Sequence, residues 1–130
     1  MMRTYTGPTL DGTGTCTVTC PEWCVVDHGR LNDKADDMFH VSEKAVIVPP
    51  ADPAASAESA IVPQMRADLM MHSTGREKDD VSILLRLDEY GDRAVDLDVA
   101  AADDVLAQLE EYTARFRRLR DLLAEVSAGR

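Results

Sequence analysis

Seven apolar positions in the last third of the chain, Val105, Leu109, Tyr112, Phe116, Leu119, Leu123 and Val126, are spaced by alternating fours and threes. That spacing gathers side chains on one face of a helix, and no strand reproduces it. It predicts a helix over about residues 99 to 127, with Asp98 as its N-cap. Asp103, Asp104, Glu110 and Glu111 fall in its first half and Arg115, Arg117, Arg118 and Arg120 in its second, an order that suits the helix dipole. Leu106, Thr113 and Leu122 flank the stripe, so the apolar face is wider than a two-stranded seam needs. Such a face predicts a lid over a sheet, with surface left for a protein partner or a second copy of the chain.

Upstream the period changes to two. Val81, Ile83, Leu85 and Leu87 alternate with Ser82, Leu84 and Arg86, the pattern of a strand. "PQMRADLMM" before it and "RAVDLD" after it read as neighbouring strands, joined by the turns "STGREKDD" and "DEYGD", with "YGD" as a hairpin tip. "MFHVS" and "KAVIVP" read as strand pieces split near Glu43, and the β-branched "GTCTVTC" as a strand at residues 13 to 19. "PEWCVVDH" carries Pro21 at a first helical position and Gly29 beyond its end, so it reads as a short helix or a turn. "RLNDKADD" is loop, and "PADPAASAESA" is a mobile linker. The predicted fold is α+β: a small antiparallel sheet packed against one long C-terminal helix, with a zinc knuckle near the N-terminus. At 130 residues it reads as one domain: a loose lead-in at 1–12, a metal-binding lobe at 13–49, a linker at 50–60, strands at 61–97 and the helix at 98–127.

Charge and composition narrow the function. The net charge of −10 opposes binding to nucleic-acid phosphates or anionic lipid. The one basic cluster, "RFRRLR", lies on the predicted helix, where Glu111 stands four residues before Arg115 in the favourable order. No apolar run reaches a membrane span and "MMRTYTGPTLDG" has no secretory apolar stretch, so a cytoplasmic protein with reduced thiols is expected. Neither a glycine-rich phosphate loop nor a nucleophile–histidine arrangement stands out, and a non-enzymatic protein is expected.

The chemistry concentrates in "CTVTCPEWCVVDHG", which holds all three cysteines and one of three histidines. Cys20, Cys24 and His28 follow one another at four-residue steps, a spacing that gathers ligands locally, and His40 can close the set from a nearby strand. Cys16 does not fit. Along an extended strand it lies about 13 Å from Cys20, whereas two sulfurs on one zinc sit about 3.8 Å apart. The expected set is therefore Cys20, Cys24, His28 and His40 around Zn²⁺. Two thiolates and two neutral imidazoles cancel the ion's charge, and four protein donors close its shell, as in structural sites. Competing readings are inert buried thiols and a redox switch that releases zinc on oxidation. His72, in "LMMHSTG", reads as a surface histidine at a strand end.

"CPEWCVVDH", a second histidine after a short loop, strands and the closing "LDVAAADDVLAQLEEYTARFRRLRDLLAEV" resemble a family of small actinobacterial proteins catalogued as a domain of unknown function. The family's C-P-x-W-C-x3-H core is matched at Cys20, Pro21, Trp23, Cys24 and His28, with His40 downstream. The resemblance implies metal binding by pattern and supplies no activity. The reading it leaves is a small zinc-binding module that works through protein contacts. The alternatives are a thiol or zinc redox sensor and, needing an open coordination position, a metal-dependent hydrolase.

Overall fold

The structure, a computed structural model, describes residues 2–50, 63–76, 80–88 and 93–129. The linker predicted at 50–60 (from residue 51 on), the "YGD" tip and part of "STGREKDD" lie outside them. Contacts divide the chain, read above as one domain, into two compact units, Met1–Leu97 and Asp98–Arg130.

The first unit holds two antiparallel sheets. β1 (Arg3–Pro8) and β2 (Thr15–Cys20) form a hairpin in which Arg3 stands opposite Cys20 and Gly7 opposite Cys16. The expected loose lead-in is thus corrected: residues 3 to 8 are a strand. Tyr5 and Gly7 point inward and Thr4 and Thr6 outward, the alternation of a half-buried strand. Its turn is held by Asp11, whose carboxylate accepts from the Thr13 amide at 3.0 Å, the Thr13 hydroxyl at 2.8 Å and the Thr9 hydroxyl at 2.7 Å.

The second sheet runs β3 (Phe39–Val41), β5 (Pro63–His72), β6 (Ser82–Asp88) and β7 (Ala94–Leu97), with β4 (Ala45–Ile47) also paired to β5. β3 takes one end of β5, His40 opposite Met71, and β4 takes the other, Val46 opposite Arg66. The predicted break near Glu43 is where the chain passes from one piece to the next. A four-residue helix, α1 (His28–Leu31), joins the two sheets.

The second unit is α2 (Val99–Ala128), capped by the Asp98 carboxylate on the Ala101 amide at 2.8 Å. Its extent is the one the periodicity predicts. Along its apolar stripe Tyr112 and Phe116 stack, with ring centroids 5.8 Å apart. Periodicity shows that apolar residues share a face, and it leaves open what covers that face. No helix among the described residues is long and apolar enough to cross a membrane.

Few side chains of the first unit are buried. Besides Pro21, the buried apolar side chains among the described residues are Cys20, Cys24, Ala35, Met38, Met71 and Leu97, joined by buried His28, His40 and Asp68. No valine, isoleucine or phenylalanine is among them. Four of these nine side chains are the predicted ligands, so the centre of the core and the candidate site coincide.

Candidate metal centre

Each ligand reaches the site by a different local device. Cys20 ends β2, with its side chain inward by the strand's alternation. Pro21 then opens a tight turn, closed by the Cys24 amide donating to the Pro21 carbonyl at 3.0 Å. Cys24 is thereby folded back beside Cys20. The segment is next pinned to the second sheet, where the Val25 amide donates to the Val41 carbonyl at 2.9 Å, one residue from His40. His40 itself is 0% exposed.

His28 arrives differently from the expected arrangement. The short helix does not run through Cys24 to His28; it starts at His28, after a turn and an extended stretch. Asp27 is its N-cap, accepting from the Arg30 amide at 3.1 Å. Asp27, a stronger N-cap than Pro21's flank could supply, sets the start. Cys24 and His28 are close all the same, with Sγ to Nε2 at 3.6 Å.

The candidate ligand atoms of Cys20, Cys24, His28 and His40 all lie within 4.8 Å of one another, and all four residues are buried. In a tetrahedral zinc site with bonds of about 2.3 Å to sulfur and about 2.05 Å to nitrogen, an S–N edge is about 3.6 Å long. The Cys24–His28 pair already has that separation. The donor set of two thiols and two imidazoles is that of structural zinc sites, so the residues can hold such an ion. Cys16 is half-buried, four residues back along β2, and is not part of the group. His72 is elsewhere: its Nε2 lies 3.3 Å from Asp37, its Nδ1 2.8 Å from the Thr74 hydroxyl, and its ring meets Phe39 edge-on.

Three residues that the sequence reading passed over support the ligands. Asp33 is the first. Its Oδ2 lies 2.8 Å from Nδ1 of His28. A carboxylate there accepts from Nδ1–H and leaves the Nε2 lone pair directed at Cys24, which is the tautomer a metal needs. Asn32 makes this contact possible. It adopts the left-handed conformation, φ 54° and ψ 42°, and its amide turns back to the carbonyls of Gly29 and His28. Asparagine tolerates this region. The reversal brings Asp33 under the imidazole, and its amide donates to the His28 carbonyl at 3.1 Å.

Tyr5 is the second. Its hydroxyl donates to the Asp33 carbonyl at 2.6 Å, and its ring centroid lies 5.5 Å from that of His28. Gly7 makes room for it: a Cβ at that position would collide with the Tyr5 ring and hydroxyl. Arg3 is the third, donating to the Cys24 carbonyl at 2.5 Å. The strand missed in the sequence is therefore the one that braces the site. Its alternating Thr-Tyr-Thr-Gly was the available signal.

Burial pushes the Cys20 thiol above its ordinary value, the neighbouring Cys24 adds to the shift, and Arg3 opposes it. A thiol in that state keeps its proton until a cation replaces it.

The chain matches a family model described as a domain of unknown function, DUF6907, over residues 4–125. Neither a curated protein nor a solved structure matches it.

Proposed function

We propose that this chain, which belongs to the DUF6907 family, is a structural zinc module that presents its C-terminal helix to a protein partner. The observation that carries the first half is the convergence of four buried donors, Cys20, Cys24, His28 and His40, within 4.8 Å. Bound there, zinc would cross-link β2, the turn after it, α1 and β3. Four protein donors leave no position for a water or substrate, which favours a structural over a hydrolytic role.

The metal would also replace a hydrophobic core. A unit whose buried side chains are mostly cysteine, histidine, alanine and methionine has little apolar burial to hold it. Metal binding then becomes folding free energy. The second half of the proposal rests on the apolar stripe of α2, whose flanking Leu106, Thr113 and Leu122 make a face wide enough to leave surface for a partner.

Elemental analysis of protein purified without chelator tests the metal. About one zinc per chain is expected, and a chelator should lower the melting temperature and abolish the native chemical-shift dispersion of the first unit. Metal-free protein with an unchanged melting curve would overturn the proposal.

A further inference from the structure

We infer that β3 is the gate of the metal site: an ion held there leaves only when this three-residue strand lifts off β5 and carries His40 away. The inference deepens the zinc half of the proposed function, and rests on it, by naming what controls exchange of the ion.

The need for a gate follows from burial. None of Cys20, Cys24, His28 and His40 is more than 3% exposed. An ion bound by all four has a closed shell, and a competing ligand has no position to enter. Exchange must therefore pass through a state in which part of the first unit has opened. The opening that frees one donor with the fewest contacts broken sets the route.

The contacts rank the possible openings. Cys20 ends β2, whose ladder with β1 runs through six residue pairs, from Arg3 opposite Cys20 to Pro8 opposite Thr15. Cys24 is held by the turn from Pro21 and by the Arg3 guanidinium on its carbonyl. His28 is held by Asp33 at Nδ1, and Asp33 in turn by the Tyr5 hydroxyl. His40 is held by a shorter element. The β3 ladder has three pairs, Phe39 with His72, His40 with Met71 and Val41 with Met70, and β5 is its one ladder partner among the described residues. Beyond the ladder, the Ser42 amide donates to the Leu69 carbonyl at 3.0 Å and the Ser73 amide to the Met38 carbonyl at 2.9 Å. The Val25 amide donates to the Val41 carbonyl at 2.9 Å. The Ser42 hydroxyl oxygen accepts from the Leu69 amide at 2.8 Å, a side-chain clasp where the paired strand ends.

A three-pair ladder opens more readily than a six-pair one, because fewer hydrogen bonds break together. Lifting β3 removes one donor of four and leaves Cys20, Cys24 and His28 gathered by their own local contacts. The bond from the ion to His40 breaks, and its fourth position becomes open to a competing ligand. With β3 in place that position is closed. Retention of the ion is then set by how often β3 opens.

Release of zinc from the full zinc-loaded chain to a chromogenic chelator, followed at rising chelator concentration, tests the gate. The rate is expected to climb and then level off at the opening rate of β3. Ser42→Ala removes the clasp on the Leu69 amide and should raise that plateau about fivefold. Thr17→Ala removes the 2.6 Å hydroxyl contact with Thr6 on the outward side of the hairpin, and should leave the plateau unchanged. Amide hydrogen exchange on the same samples should show the Ser42 and Ser73 amides exchanging ahead of the β1–β2 ladder. A rate that stays proportional to chelator at every concentration would mean donors open to solvent, and would overturn the inference. So would acceleration by Thr17→Ala with none by Ser42→Ala, which would make the hairpin the gate. A plateau equal to the unfolding rate of the whole first unit, with all its amides exchanging together, would overturn it as well. Zinc content separates the two claims: a zinc-loaded chain with ungated release refutes the gate alone, and a chain that never binds zinc refutes the metal reading and the gate with it.

Discussion

Asp33→Ala tests whether the site is built as a metal centre or is only a cluster of buried polar side chains. In the native chain Oδ2 of Asp33 sits 2.8 Å from Nδ1 of His28, and the His28 side chain is 2% exposed. Removing the carboxylate leaves a donor that water reaches poorly, at a cost of about 1–3 kcal/mol. It also frees the imidazole to rotate or to take the other tautomer. Loss of such a carboxylate beneath a ligating histidine lowers metal affinity about 10–100-fold, or about 1.4–2.7 kcal/mol. The Asp33 side chain is 27% exposed, so solvent screening favours the lower half of that range. Asp33→Asn keeps an acceptor but loses the charge, and a neutral hydrogen bond is about half as strong. Its loss should fall between wild type and Asp33→Ala. The assay is competition for zinc against a chromogenic chelator at neutral pH, with nitrogen-detected imidazole resonances to report the tautomer. Backbone damage is controlled by the Asn variant, and the Tyr5 bond to the Asp33 carbonyl is main-chain and survives in both. An Asp33→Ala affinity within about twofold of wild type would show that His28 is not a ligand oriented by this carboxylate.

Three further outcomes are expected. Cys16→Ser should retain the metal and Cys24→Ser should lose it, because only Cys24 is in the buried group; equal loss in metal analysis would put Cys16 in the site. His40→Ala should bind zinc more weakly through the remaining three donors, and metal should then raise the melting temperature much less, since the tie to β3 is gone; an unchanged metal-induced shift would exclude His40. In the β1–β2 turn, the Thr13 amide, then the Thr9 and Thr13 hydroxyls, hold the Asp11 carboxyl down from 3.8 to about 2. A depressed value in the folded state stabilises it above the ordinary pKa, so this contribution is present above pH 3.8 and is lost as the pH falls towards 2. A carboxyl-detected titration of Asp11 with a midpoint near its ordinary value would refute the turn.

What was legible in the chain was what depends on neighbours in sequence. The α2 boundaries follow from a period sustained over seven apolar positions and one capping aspartate, so they could be read directly. β2, β3, β4, β5, β6 and β7 each carry enough alternation or β-branching to show. β1 carried the alternation too, but Gly7, Pro8 and the following turn masked it as irregular chain. The contact that places Asp33 under His28 was not legible, because it depends on one left-handed residue, Asn32, and nothing in the composition around it demands that conformation. The destination of the α2 stripe was not legible either. A hydrophobic period fixes which residues share a face, while the identity of the covering surface is a property of the partner.

The same division between local and distant contacts explains how the site can be assembled. Cys20, Cys24, His28 and Asp33 lie within fourteen residues, and their approach is set by one turn, one cap and one chain reversal. These close small loops, at low entropic cost. His40 alone depends on a pairing from far along the chain, β3 on β5, with Met71 opposite. Three donors can therefore gather before the second sheet is complete, and His40 joins them only when it is. A metal ion bound by the four residues would, through His40, tie the hairpin and its knuckle to the larger sheet. In a unit with so few large apolar side chains buried, such a bond would take the place that a leucine or phenylalanine at the same junction fills elsewhere. The cluster's placement at the junction, rather than in a cleft open to solvent, is what makes a structural role the simpler account of four buried donors.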